Sequence, residues 1–172
     1  MIDPQTHLDD TWLDTFTSLR MTAFGQTVID IANNAEYDEW TFSQKIAFAL
    51  DKEVAARSER RFAKLLKASQ SPNPDACVEK LDYRPDRNLN RELTTRLGSC
   101  QWVAKATNVI VLGKSSVGKT YLALALLNAA CRRDYTARFF RTDDLAARLA
   151  VMEYNDPKRV QFITQITTTD LL

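Results

Sequence analysis

The chain has 172 residues, 45% of them hydrophobic and 26% charged, which describes one globular domain or one domain with a small appendage and excludes a disordered chain, a collagen or a coiled-coil rod. The longest apolar stretch, around Leu122–Cys131, is interrupted by Asn128 and is about half of the ~20 apolar residues that a membrane span needs. With 23 basic and 22 acidic residues the net charge is +1, so any case for nucleic-acid binding rests on local clustering rather than on bulk charge.

In chain order, Met1-Ile2-Asp3-Pro4 is acidic and has no apolar core, so it does not read as a secretory signal. His7, the only histidine, sits in a polar N-terminal segment and reads as a tail residue. Trp12 to about Asn34 reads as a helix, with Thr11 as cap and Asp14 three residues on. Trp12, Phe16, Leu19 and Ala23 form one face, which Leu13, Phe24 and Ile31 widen. Gly25 weakens the case for one unbroken helix. Glu36–Trp40 reads as a turn. Thr41-Phe42-Ser43-Gln44 is a capping box opening a long helix to about Ala68 or Ser69.

At ~100° per residue, Arg57, Arg60, Arg61, Lys64 and Lys67 of that helix fall within roughly a 120° arc, with Glu53 on the same side. Ala55, Phe62 and Leu66 fall opposite, flanked by Val54 and Leu65. The arc is a candidate grip on DNA phosphates; the plainer alternative is a solvated helix face. Gln70-Ser71-Pro72-Asn73-Pro74-Asp75 then reads as a loop or linker. Leu81–Pro85 reads as extended, because Arg84 precedes proline. Asn88 or Asn90 caps a helix to about Lys105 with Leu93, Leu97 and Trp102 inward, and Gly98 is a candidate break. Trp40 and Trp102 read as packing residues.

Val109-Ile110-Val111-Leu112 has the pattern of a strand buried on both faces of a parallel sheet. Next comes Gly113-Lys114-Ser115-Ser116-Val117-Gly118-Lys119-Thr120, which fits G-x-x-x-x-G-K-[ST], the Walker A or phosphate-binding loop. The chemistry needs this order. The glycines let the backbone turn so that consecutive N–H groups point at a phosphate, and the helix that follows adds its dipole. Lys119 is placed to reach the β- and γ-phosphates, and the Thr120 hydroxyl to ligate Mg²⁺. Tyr121–Ala130 is apolar nearly all round, the mark of a buried helix. Thr136–Phe140 reads as a second strand, and Thr142-Asp143-Asp144 opens a helix to about Tyr154. Strand, loop, helix, strand, helix is a βαβ unit, so an α/β fold is expected from about residue 108.

A nucleotide hydrolase also needs an acidic residue after a neighbouring apolar strand, the Walker B carboxylate. Phe139–Asp144 is a poor candidate: Arg141 and Thr142 break the apolar run, and Asp143 and Asp144 read as first-turn helix residues. Asp170-Leu171-Leu172 stands where a third strand would start.

The run Asn108–Leu126, together with Ala130–Tyr135 and Arg138–Leu145, resembles the IstB-like transposition helper ATPases, AAA+ relatives of the DnaC-type helicase loaders. The likeness is strong from about Leu81 and weaker before it. It implies an α/β fold: a helical N-terminal domain over residues 1–75, for DNA or partner binding, then residues 76–172 as the first part of a P-loop, AAA+-like parallel sheet with flanking helices. It implies an ATP-binding, DNA-binding helper that activates a transposase, with ATP and Mg²⁺ at Gly113–Thr120 and Tyr121, and homo-oligomers in the full-length family. Family members often have His where Tyr121 stands and Gly where Asp134 stands. They continue past an Asp-Leu-Leu-like start into the Walker B acids, sensor and arginine-finger elements, so this chain reads as C-terminally shortened and poor in hydrolysis.

A DnaC-like helicase loader, a small-molecule P-loop kinase and a non-catalytic remnant are the alternative readings. No acceptor lid or catalytic carboxylate that a kinase needs is evident. Asp82 and Tyr83 precede the loop, and position alone does not assign them to the site. Cys77, Cys100 and Cys131 are odd in number and lack a C-x-x-C spacing, so disulfides and zinc are not expected. A reducing cytoplasm is the expected location, and no membrane association is expected. An apolar sheet edge left open would favour self-association.

Overall fold

The computed structural model describes residues 8, 9, 11–84 and 89–172. The readings placed on Met1–Pro4, His7, Pro85 and Asn88 lie outside them. Among the described residues there are eight α-helices: α1 (Thr11–Ser18), α2 (Thr22–Asn33), α3 (Phe42–Ser69), α4 (Arg91–Gly98), α5 (Gln101–Ala104), α6 (Lys119–Cys131), α7 (Thr142–Ala150) and α8 (Pro157–Thr167). None is long and apolar enough to cross a membrane. The chain forms two compact units, Met1–Arg60 and Arg61–Leu172, dividing within α3; the boundary expected at 75/76 falls inside the second unit.

In the first unit the expected single helix is two. Arg20 turns the chain between α1 and α2 with φ 58°, a left-handed conformation that a helix interior does not allow. Gly25 is not the break. It sits inside α2, where an added Cβ would lie 2.4 Å from Cγ of Phe16. Glycine is needed there because α1 crosses at that point, with the Phe16 and Phe24 rings 6.0 Å apart, edge to face. Leu13 and Phe16 are the half-buried residues of α1, whereas Trp12 and Leu19 are exposed. Asp9, not Thr11, caps α1: its carboxylate accepts from the Thr11 N–H at 3.0 Å. The Thr41–Gln44 box forms as expected. Gln44 Oε1 accepts from the Thr41 N–H at 2.8 Å, and Thr41 Oγ1 accepts from the Gln44 N–H at 3.4 Å. Trp40 packs against Tyr37 and Phe48, with ring centroids 5.0 and 5.4 Å apart.

The second unit is built around α6, in which Leu124 to Cys131 are all buried, as a helix apolar nearly all round requires. One side packs on Ala76 and Val78, another on Cys100 and Val103, and a third on Phe62, Leu65 and Leu66 of α3 together with Ala137. Asn128, the polar interruption, is 1% exposed. Its amide donates to the carbonyls of Asn73, Pro74 and Ala76 at 3.3, 3.0 and 2.7 Å, so it pins the proline-containing loop to the core helix. Burial pushes the Cys131 thiol up to about 11 and raises that of Cys100 as well, leaving both as protonated packing groups.

Asn90 caps α4, accepting from the Leu93 N–H at 2.9 Å. The helix breaks at Gly98–Cys100, where Cys100 has φ 57°. Thr94 is the buried residue of α4; of the residues expected inward, Leu97 and Trp102 are half-buried and Leu93 is exposed. Asp134 has φ 65°, a region that glycine enters without cost.

The two expected strands are corrected. Val109–Leu112 pairs with no strand among the described residues. Ile110 and Leu112 are 81% and 88% exposed rather than buried. An apolar β-branched run has strand propensity, but a strand exists only when neighbours satisfy its N–H and C=O groups. Thr136–Phe140 makes one bridge, between Ala137 and Leu171, and that bridge is parallel, the sense that a βαβ unit takes. The Arg138 N–H donates to Leu171 O at 2.9 Å, the Leu171 N–H donates to Thr136 O at 3.1 Å, and the Asp170 carboxylate accepts from the Thr136 N–H at 2.8 Å. Helix α8 was not anticipated. Its signal is present in Asp156-Pro157, an N-cap whose carboxylate accepts from the Lys158 N–H, followed by proline in the first turn.

Candidate functional site

The loop Gly113–Gly118 runs directly into α6, with Gly118 as its N-cap. Two residues of the loop take left-handed backbone, Ser116 at φ 63° and Gly118 at φ 94°. Turns of this kind aim successive N–H groups to one side and make a concavity suited to an anion. At Gly113 an added Cβ would press on the Val117 side chain at 3.2 Å, and Gly118 holds a backbone conformation that L side chains rarely adopt. The Lys119 ammonium folds over the loop and donates to the carbonyl oxygens of Gly113, at 2.9 Å, and Lys114. The loop therefore already holds a cation at its centre, beside a helix N-terminus whose dipole favours negative charge. Lys114, Ser115, Ser116, Val117 and Thr120 are exposed around it, and Lys119 is half-buried. These features fit a polyphosphate.

Two cavities flank the loop. One, of about 390 Å³, is bordered by Val117, Gly118, Lys119 and Tyr121 on the loop side and by Leu81 and Asp82 on the other. Its walls are largely apolar and its size suits a heterocyclic base. Leu81 and Asp82 are thus brought to the site, which sequence position alone did not establish; Tyr83 lines a different cavity. Tyr121 serves twice, since it also packs on Leu124 and Ala125. The second cavity, of about 650 Å³, brings Thr120 together with Asp144, Arg141 and Arg148. Asp143 and Asp144 occupy the first turn of α7, as expected.

The basic arc is largely committed to protein partners. In the first unit Arg57 Nε donates to the Glu53 carboxylate at 2.7 Å and Arg60 Nη2 to the same oxygen at 3.3 Å. Glu53 is 4% exposed, and its hydrogen bond from Arg57 holds its carboxyl below the usual glutamate range against the opposing cost of burial. In the second unit Arg61 pairs with Asp134 at 2.8 Å. Lys64 and Lys67 are exposed, with no ion pair among the described residues. On the opposite face Phe62, Leu65 and Leu66 pack as expected, whereas Val54 and Ala55 are exposed.

Residues 15–172 match the family described as IstB-like ATP binding protein. The chain is 32% identical over 143 residues to the ATP-binding protein of insertion sequence IS1162 from Pseudomonas fluorescens, covering 78% of this chain and 62% of that protein. It is 30% identical over 139 residues to the insertion sequence ATP-binding protein y4pL of Sinorhizobium fredii, covering 81% and 56%. It is 28% identical over 131 residues to the IS21 ATP-binding protein of Pseudomonas aeruginosa, covering 76% and 49%. The chain therefore spans between 49% and 62% of the length of these three relatives. A match that takes in the α3 helix, the loop at 113–120 and the buried helix behind it leaves one assignment: the chain belongs to the family of IstB-like ATP-binding proteins.

Proposed function

We propose that this chain binds ATP with Mg²⁺ at Gly113–Thr120 and acts as the ATP-binding helper of an insertion sequence, working on DNA together with the transposase of the same element. The observation that carries the reading is the Lys119 ammonium held over a glycine-shaped loop at the start of α6. In this reading the loop N–H groups and Lys119 hold the phosphates, and Tyr121, Leu81 and Asp82 border the base. The Thr120 hydroxyl holds Mg²⁺, which when bound neutralises charge on the phosphate oxygens. The names of the relatives, all proteins of insertion sequences, favour transposition over helicase loading.

DNA contact is assigned to α3, with Lys64 and Lys67 as its available cations and Arg57, Arg60 and Arg61 as residues that must first leave Glu53 or Asp134. Hydrolysis by this chain is expected to be weak: among the described residues, Asp144 is the carboxylate that lines the Thr120 cavity, and it sits on a helix turn rather than at the end of a strand.

The deciding experiment is titration of a fluorescent ATP analogue into the chain and its Lys119→Ala variant. Loss of a charge-assisted contact to phosphate should weaken binding by ~10-fold or more. Unchanged affinity would remove the assignment.

A further inference from the structure

Helix α6 begins in the phosphate loop and ends at Cys131, and Arg132 and Arg133 follow directly. Thirteen residues at about 1.5 Å each separate its two ends by roughly 20 Å. At the far end, α4 and the 3-10 turn Val78–Lys80 border a cavity of about 620 Å³. Its charged lining is Arg91, Arg132 and Arg133 against one carboxylate, Glu79. Among the described residues, Glu79 is the one carboxylate paired with any of the three guanidinium groups. Arg91 lies over the Tyr83 ring at 4.5 Å. Arg132 forms an ion pair with Glu79 Oε2 at 3.6 Å, longer than a charge-assisted hydrogen bond, so the cavity keeps a surplus of positive charge. Arg133 donates to the Ala129 carbonyl at 3.3 Å and lies against the Cys100 thiol.

The bland explanation is that cations favour the C-terminal end of a helix. That accounts for Arg132 and Arg133, but not for Arg91. Arg91 is the first residue of α4, where the helix dipole disfavours a cation. Three forks, one opening α4 and two following α6, that face one cavity with a charge surplus suit a multidentate oxyanion. We propose that this arginine-lined cavity is a second phosphate-binding site, separate from the loop at 113–120. Its ligand is a phosphate group, carried either by a nucleic-acid backbone or by a free nucleotide.

The test uses the full chain carrying Lys119→Ala, which silences the loop, with pyrophosphate as the calorimetric probe. Pyrophosphate should still bind this variant. Adding Arg132→Gln and Arg133→Gln should weaken that binding by ~10-fold or more, and Glu79→Gln alone should tighten it. Pyrophosphate binding that vanishes with Lys119→Ala alone, or that survives the two arginine changes undiminished, overturns the site. Should the double arginine change unfold the chain, Arg91→Gln and Glu79→Gln, both on exposed side chains, give the same reading with opposite signs. Displacement of pyrophosphate from the Lys119→Ala chain by a short duplex DNA identifies the backbone as the source of the phosphate; no displacement identifies a free nucleotide.

Discussion

Glu53 caps a helix that is not its own: its Oε2 accepts the backbone N–H of Phe24, in the first turn of α2, at 3.1 Å. The N-cap residue of α2, Met21, offers no side-chain acceptor. The other carboxylate oxygen takes Arg57 and Arg60, and Arg57 in turn donates to the Arg20 carbonyl at 2.7 Å. One buried carboxylate therefore fixes the turn between α1 and α2 and neutralises part of the basic arc.

Glu53→Gln should cost about 2 kcal/mol, because the buried carboxylate's charge-assisted bonds from the exposed Arg57 and Arg60 are lost. The carboxyl is held below the ordinary value of 4.5 by the Arg57 hydrogen bond. A depressed folded-state value means that the contribution is fully present above about pH 4.5 and fades as pH falls toward the folded value. Urea melts at pH 7 and pH 4 should show the wild type losing stability over that interval and Glu53→Gln losing less. Parallel losses would show that Glu53 does not titrate as described.

Asn128→Ala should destabilise the second unit by about 2 kcal/mol, since the buried Ala76 carbonyl and the part-buried carbonyls of Asn73 and Pro74 lose their donor at once. Asn128→Asp should be worse, because a carboxylate replaces the donor with acceptors. Thermal melts read both effects. A neutral alanine variant would mean that the loop at 73–76 is held by other contacts.

Ile110 and Leu112 stand 81% and 88% exposed on a backbone segment with no ladder partner among the described residues. The chain on its own should self-associate in a concentration-dependent way, and Ile110→Lys with Leu112→Lys should shift it toward monomer. Sedimentation velocity decides. A wild-type chain that stays monodisperse at high concentration contradicts this.

Phosphate release from ATP in the presence of Mg²⁺ should be close to background while the fluorescent analogue still binds. Any residual rate should fall by ~10-fold or more in Asp144→Asn if that carboxylate, in the cavity with Thr120, helps to order the metal. Brisk turnover indifferent to Asp144 would require another acid.

The sequence by itself determined the phosphate loop, the long α3 with its capping box, and the buried α6. Each depends on local chemistry: glycine at strained backbone, Thr41 with Gln44 satisfying end N–H groups, and an apolar run too uniform for a surface helix. Tertiary structure alone decided the rest. The wheel projection placed Glu53 on the basic face, but only the approach of α2 made it a buried cap. Gly25 looked like a break until the Phe16 ring was set against it. Leu81 and Asp82 reached the loop, and Arg91 met Arg132 and Arg133, through chain crossings that leave no local pattern. Val109–Leu112 had strand propensity and no partner among the described residues, because a strand is a property of two segments and periodicity reports on one.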